Sequence, residues 1–385
     1  MNSVNNSCIN LKMDTPYLKM VLKNSQSTCL KNNQVKVNFY SFAESSSSIT
    51  AKALMKVKDC QRKCKSPELY PIPDHQITEN NQFEYPIFSP IDMTEADEAI
   101  ILLHGLNERD WEKYGCWAEQ LVLSTGKPVI LFPIAFHINR SPKKWNSPRD
   151  MIKWIPKDKP STNLTFANVA LSERMIVAPE RFYLFIRETV LNLIQLKEQI
   201  EKGNHPFLKN SCHLDFFCYS IGALVSQVLF QADPYEQFKE SKLFLFCGGG
   251  IFHELNGNSR FIMSGEAFEV LKKFYRHKFD IDDKDSIYHA AYTHFAADHN
   301  AAERMAYYAR NAHRIKIISL KKDHVIPSSS ITSCLGPENA ARCLTELDFD
   351  LDYSHEVPFP LTKEKSEIAN DMFKTVMAAA SDFLR

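Results

Sequence analysis

From about Pro90 onward this 385-residue chain repeats one texture: short apolar runs alternate with longer amphipathic segments. A short apolar run suits a strand buried on both faces, and the amphipathic stretch between two runs suits a helix laid on a sheet. Alternation of this kind predicts βα units around a mainly parallel sheet. Residues 99–103 and 128–133 read as strands, with a helix over 111–123 between them and Gly126 as its C-terminal cap. Further along, 180–202 reads as a helix, 213–219 as a strand, 221–232 as a helix and 242–247 as a strand. Two more strands, 314–320 and 345–351, precede a closing amphipathic helix over 363–384. The expectation is an α/β domain over 98–385 with helices flanking a mainly parallel central sheet.

Residues 1–97 carry a weaker pattern and are read as an N-terminal extension leading into the first strands. Within them, Val35, Val37 and Phe39 alternate with polar neighbours as a strand would, and 50–65 suits a short helix. Two stretches break the later rhythm: about 137–174, which holds Trp145 and Trp154, and about 251–313, which is mostly helical in pattern. Insertions at the C-terminal ends of sheet strands lie where α/β folds bind ligands, so both are expected to form a lid.

The chemistry centres on Cys218-Tyr219-Ser220-Ile221-Gly222, which joins an apolar strand to a helical segment. A serine hydroxyl becomes a useful nucleophile only beside a base, and it must protrude to meet a carbonyl. A sharp strand-to-helix turn with small residues on either side achieves that protrusion, which makes Gly222 a turn-shaping residue; Cys218 stands where the G-x-S-x-G pattern has glycine. An oxyanion needs two backbone N–H groups, and Ile221 follows the nucleophile as the first donor. Leu103-His104-Gly105-Leu106-Asn107 follows an earlier strand, so Leu106 is the second, with His104 and Gly105 shaping the loop. After Ser220, Asp323 and His355 each fall just behind a strand, in the order that an orienting acid and a base require. Asp348, Asp350 and Asp352 compete with Asp323 but read as part of the last strand.

Joined together, these positions resemble the α/β-hydrolase superfamily over about 99–385. The phrases Phe132-Pro133-Ile134-Ala135-Phe136-His137, Phe246-Cys247-Gly248-Gly249-Gly250 and Ser354-His355-Glu356-Val357-Pro358 also look like an uncharacterised bacterial branch of it. The resemblance implies a serine hydrolase acting on a small-molecule acyl substrate through Ser220, His355 and Asp323, with no cofactor and no metal. A non-catalytic binding protein on the same fold, or a peptidase, thioesterase or carbon–carbon hydrolase using the same residues, is the alternative.

The bulk numbers bound the rest. Forty-six basic residues balance 46 acidic ones, leaving no field to draw a polyanion, so nucleic acid is not an expected partner. Residues 1–20 lack the apolar core of a secretory signal, and no apolar run is long enough to span a bilayer; a cytoplasmic protein with reduced cysteines is expected. Gly248-Gly249-Gly250 lacks the Lys-Ser/Thr of a P-loop. Cys60 and Cys64 have no second pair at zinc-site spacing, and His289, His294, His299 and His313 show no ligand spacing, so none is assigned to a metal.

Overall fold

Along Ala99-Ile100-Ile101-Leu102-Leu103 every side chain is buried, and successive ones join different apolar cores. Ala99, Ile101 and Leu103 enter one core, while Ile100 and Leu102 enter the other. A strand apolar on both faces must be covered on both, and this one lies in the middle of the sheet. The computed structural model describes residues 9–67, 72–156, 162–277, 286–296, 300–362 and 364–385. His299 and Lys363, and parts of both interrupting stretches, lie outside these residues.

Among the described residues, nine strands form one mixed sheet: β1 (Thr28–Cys29), β2 (Val35–Ala43), β3 (Gln82–Pro90), β4 (Ala96–Leu103), β5 (Val129–Leu131), β6 (Leu208–Tyr219), β7 (Leu243–Phe246), β8 (Ile315–Leu320) and β9 (Leu344–Leu347). Their spatial order is β1-β2-β3-β5-β4-β6-β7-β8-β9. The run from β5 to β9 is parallel, whereas β1, β2 and β3 pair antiparallel and reach the rest through β3 against β5. Strand pairing therefore crosses position 97 without a break.

The longer helices are α1 (Leu11–Asn24), α2 (Ala51–Lys63), α3 (Glu112–Thr125), α4 (Val169–Val177), α5 (Arg181–Glu201), α6 (Ile221–Ala232), α7 (Gly265–His277), α8 (Ile287–Ala296), α9 (Ala301–Asn311) and α10 (Ser366–Leu384). Helices α1, α3 and α10 cover one face of the sheet, and α2, α5 and α6 cover the other. On the first face, Gly115 of α3 lets α1 approach closely: a Cβ there would lie 3.0 Å from the Leu18 Cβ. No helix among the described residues is long and apolar enough to cross a membrane.

Strand boundaries shift from the expectation at several points, as where β6 begins at Leu208 rather than 213, and the shift at β9 bears on the candidate acids. The last strand ends at Leu347, because β8, the strand it pairs with, ends at Leu320, opposite Leu347. Asp348, Asp350 and Asp352 thus follow β9 rather than lying within it. Asp348 accepts from the Tyr353 hydroxyl at 2.9 Å and pairs with Lys321 at 3.2 Å, which accounts for it as a turn residue.

Candidate active site

The turn from β6 into α6 leaves Ser220 with φ 55° and ψ −119°, a backbone conformation that a non-glycine residue adopts only under tertiary constraint. The constraint is visible on both sides. Ser220 N–H donates to the Phe246 carbonyl at 3.3 Å, and Gly222 N–H donates to the His104 carbonyl at 3.2 Å. Helix α6 sits so close to β4 that a Cβ on Gly222 would lie 2.7 Å from the Leu103 carbonyl oxygen. Cys218, in place of the pattern's glycine, is fully buried in the core between the sheet and α6, paired in register with Leu103 and Leu245. Burial pushes its thiol pKa up to about 12, so it is a packing group.

From the tip of that turn a hydrogen-bonded chain runs inward. Ser220 Oγ lies 2.7 Å from His355 Nε2, and His355 Nδ1 lies 2.7 Å from Asp323 Oδ2. A carboxylate only accepts, so the proton sits on Nδ1 and the Nε2 lone pair faces the serine hydroxyl. Asp323 is held from its other oxygen, where Oδ1 accepts the N–H groups of Val325 and Ile326, each at 2.9 Å. Burial is deep throughout: Ser220 is 6% exposed, His355 3% and Asp323 1%. The ring of Tyr219 stacks on His355 with centroids 5.5 Å apart, and its hydroxyl donates to the His355 carbonyl. Tyr219 thus fixes both the plane and the backbone of the histidine, a role that its place in the pentapeptide did not reveal.

The loop after β4 is equally constrained. Ile134 N–H donates to His104 Nε2 at 2.9 Å, which leaves Nδ1 as the donor to the Gly105 carbonyl at 2.8 Å. Burial drives the His104 pKa well below its usual value, with His137 adding to the effect, so the ring is a neutral brace. Gly105 N–H is taken by the Tyr114 hydroxyl at 2.9 Å, which in turn donates to Glu108 at 2.7 Å. The N–H groups of Leu106 and Ile221 have no acceptor among the described residues. Asn107, at φ 61°, donates from its amide to the carbonyls of Ala167 at 2.8 Å and Phe261 at 2.6 Å. One side chain thereby ties the loop to both stretches that interrupt the βα rhythm.

Ser220 lies between two cavities. An outer cleft of about 380 Å³ is walled by Glu108, Arg109, Lys113, Phe166, His355 and Glu356, among others. An inner pocket of about 50 Å³ is walled mainly by apolar groups, including Phe182, Leu224, Phe252, Met263 and Phe268. Leu106, Ser220 and Ile262 border both. Of the aromatics 136, 145, 154 and 166, in or beside the first interrupting stretch, only Phe166 lines either cavity. Phe136 and Trp145 instead flank the Arg174 guanidinium, with ring centroids at 4.7 and 4.5 Å. The phenylalanines of the inner pocket come from α5, α7 and the segment before α7, and no sequence pattern marked them. Among the described residues no cluster of His, Cys, Asp and Glu could hold a metal ion.

The family of unknown function DUF6051 matches residues 15–385. The chain belongs to this family. No curated protein matches the sequence. Among solved structures, an S-formylglutathione hydrolase from Agrobacterium tumefaciens is 12% identical, covers 92% of this chain and 98% of its own, and superposes with a TM-score of 0.47. Carboxyl esterase 2 from the fungus Tuber melanosporum is 11% identical over 79% of this chain and 81% of its own, with a TM-score of 0.42. A cold-adapted esterase from an Arctic intertidal metagenomic library is 10% identical over 94% and 99%, with a TM-score of 0.41.

Proposed function

We propose that the chain is a serine hydrolase of the α/β-hydrolase fold that cleaves an ester or related acyl bond. The observation that carries this reading is the 2.7 Å contact from Ser220 Oγ to His355 Nε2, continued at 2.7 Å to a buried Asp323, at the border of a solvent-reaching cleft. A buried acid, a histidine held in one tautomer and a serine on a strained turn form the arrangement that activates a hydroxyl.

In the mechanism, Ser220 Oγ attacks the acyl carbon while His355 Nε2 accepts its proton, and the Asp323 carboxylate stabilises the imidazolium that results. Charge on the carbonyl oxygen is met by the N–H groups of Leu106 and Ile221, which no acceptor among the described residues occupies. His355 then delivers its proton to the departing oxygen, and water, deprotonated by the same ring, releases the acid from Ser220. The stretches 137–174 and 251–313 serve as the cover of the site, clamped by Asn107.

A fluorophosphonate probe tests the reading. Wild type is expected to be labelled at Ser220, and Ser220→Ala, folded by circular dichroism, is expected to take up none. A folded wild type that resists the probe would favour a non-catalytic binding protein on the same scaffold.

A further inference from the structure

The two cavities that meet at Ser220 differ in size, polarity and in which acting group they contain. His355 and Glu356 border the outer cleft but not the inner pocket, whereas Ile221 borders the inner pocket but not the outer cleft. In acyl transfer the histidine must hand its proton to the leaving oxygen, so the leaving group has to lie on the histidine's side. The acyl chain then points the other way, past Ile221 and into the inner pocket.

That pocket is small. Its volume of about 50 Å³ holds about four water-sized groups at roughly 10–15 Å³ each. Its narrowness is built into the backbone: a Cβ on Gly257 would lie 2.8 Å from the Phe268 ring, and one on Gly250 would lie 2.3 Å from Ser330 Oγ. Phe268 therefore packs directly on main chain, and the wall cannot retreat on that side. A buried, tightly packed wall excludes longer chains rather than deforming around them.

The outer cleft, of about 380 Å³, is several times larger and more polar than the inner pocket: Glu108, Arg109, Asp110, Lys113 and Glu356 line it beside apolar groups such as Phe166 and Phe261. Lys113 is paired with Glu108 at 2.5 Å. Arg109 reaches the Asn146 side chain and carbonyl and lies with its guanidinium 6.0 Å from the Phe166 ring, with no ion-pair partner among the described residues. A wall of this kind favours a leaving group that is itself rich in polar groups over a plain alkyl one.

Building on the proposed hydrolase activity, we infer that this enzyme removes short acyl groups, acetyl to butyryl, from a bulky polar alcohol such as a polyol. The bond broken lies between the acyl carbon and the alcohol oxygen. The acyl group passes to Ser220 Oγ, the alcohol leaves with the proton carried by His355, and water releases the short acid.

The test uses the full chain and 4-nitrophenyl acetate, butyrate and octanoate, together with ethyl acetate and glycerol monoacetate, after probe labelling of Ser220 has been scored. Wild type should turn over octanoate at least about tenfold less efficiently than butyrate, the scale of discrimination an apolar pocket provides. It should also prefer glycerol monoacetate to ethyl acetate in kcat/KM. Phe268→Ala should raise the octanoate-to-acetate ratio by about tenfold, and Leu224→Ala provides the same reading should the first variant fail to fold. Arg109→Ala should lower the preference for the glycerol ester. Labelling of Ser220 together with equal turnover of octanoate and butyrate, or with no preference for the polar leaving group, would overturn the inference while leaving the hydrolase reading in place. Absence of labelling would overturn both.

Discussion

Ser220 concentrates the strain of the site in one residue. Its φ of 55° and ψ of −119° are sustained by neighbours that cannot yield, since the Gly222 backbone lies against Leu103 and the Gly248 backbone against Ala223. Backbone strain of roughly 1–3 kcal/mol is tolerated where surrounding packing over-determines the conformation. Asp323 shows how a single proton depends on such packing. Because its Oδ1 accepts two N–H groups, an asparagine there would keep its oxygen on that side and turn its NH₂ toward His355. The imidazole would then have to accept at Nδ1 and carry its proton on Nε2, leaving no lone pair for Ser220. Asp323→Asn should therefore fold normally yet lose turnover by about four orders of magnitude, measured as kcat on a short-chain ester. A loss of only a few fold would detach Asp323 from the chemistry.

At the level of elements, helix α3 links the sheet, α1 and the site. Its N-terminal part supplies Lys113 and Tyr114 beneath the outer cleft, and its centre receives α1 across Gly115. One turn further, Glu119 is buried and accepts from Asn32 at 2.7 Å. Burial, reinforced by Asp14, raises its carboxyl pKa to about 7. The folded state thus holds a proton that the unfolded chain has already released between the ordinary carboxylate range and neutrality. Stability from this group is present at low pH and declines as pH rises toward 7. Glu119→Gln keeps an oxygen for Asn32 and removes the titration. The variant should match wild type near about pH 5 and melt at a higher temperature near about pH 8. Thermal melts at both pH values check this, and a pH-independent difference would show that Glu119 is not held protonated.

For the whole molecule, the N-terminal residues behave as part of the sheet rather than an appendage. Strand β2 pairs with β3 from Val35 opposite Pro90 to Ala43 opposite Gln82, and β3 closes the edge of β5. Leu18, Val21 and Leu22 of α1 are buried in the same core as Trp117 and Leu121. Deleting residues 1–97 would open a strand edge and uncover this face, both routes to aggregation. A chain of residues 98–385 should lack a cooperative thermal transition and near-ultraviolet circular dichroism. A sharp melt close to that of the full chain would mean that the later residues form an independent core.

Periodicity along the chain was enough to indicate the α/β class, the strands from β4 to β8 and the helices that follow them, because burial on a sheet or helix face imprints a local repeat on the sequence. It also read Ser220, Asp323 and His355 as each lying just behind a strand, in an order compatible with one site, although the last strand ends at Leu347, well before His355. Only the tertiary structure decided the rest. Tyr219 meets the carbonyl of a residue 136 positions away, and Asn107 joins two stretches that are themselves far apart in sequence. Phe182, Phe252 and Phe268 wall the pocket beside Ser220, yet in sequence they look like any other apolar positions. Residues 1–97 read as weakly patterned because β1 and β2 form the sheet edge, where several side chains remain half-exposed. A repeat can report that a residue is buried, but the partner it is buried against depends on how distant segments pack.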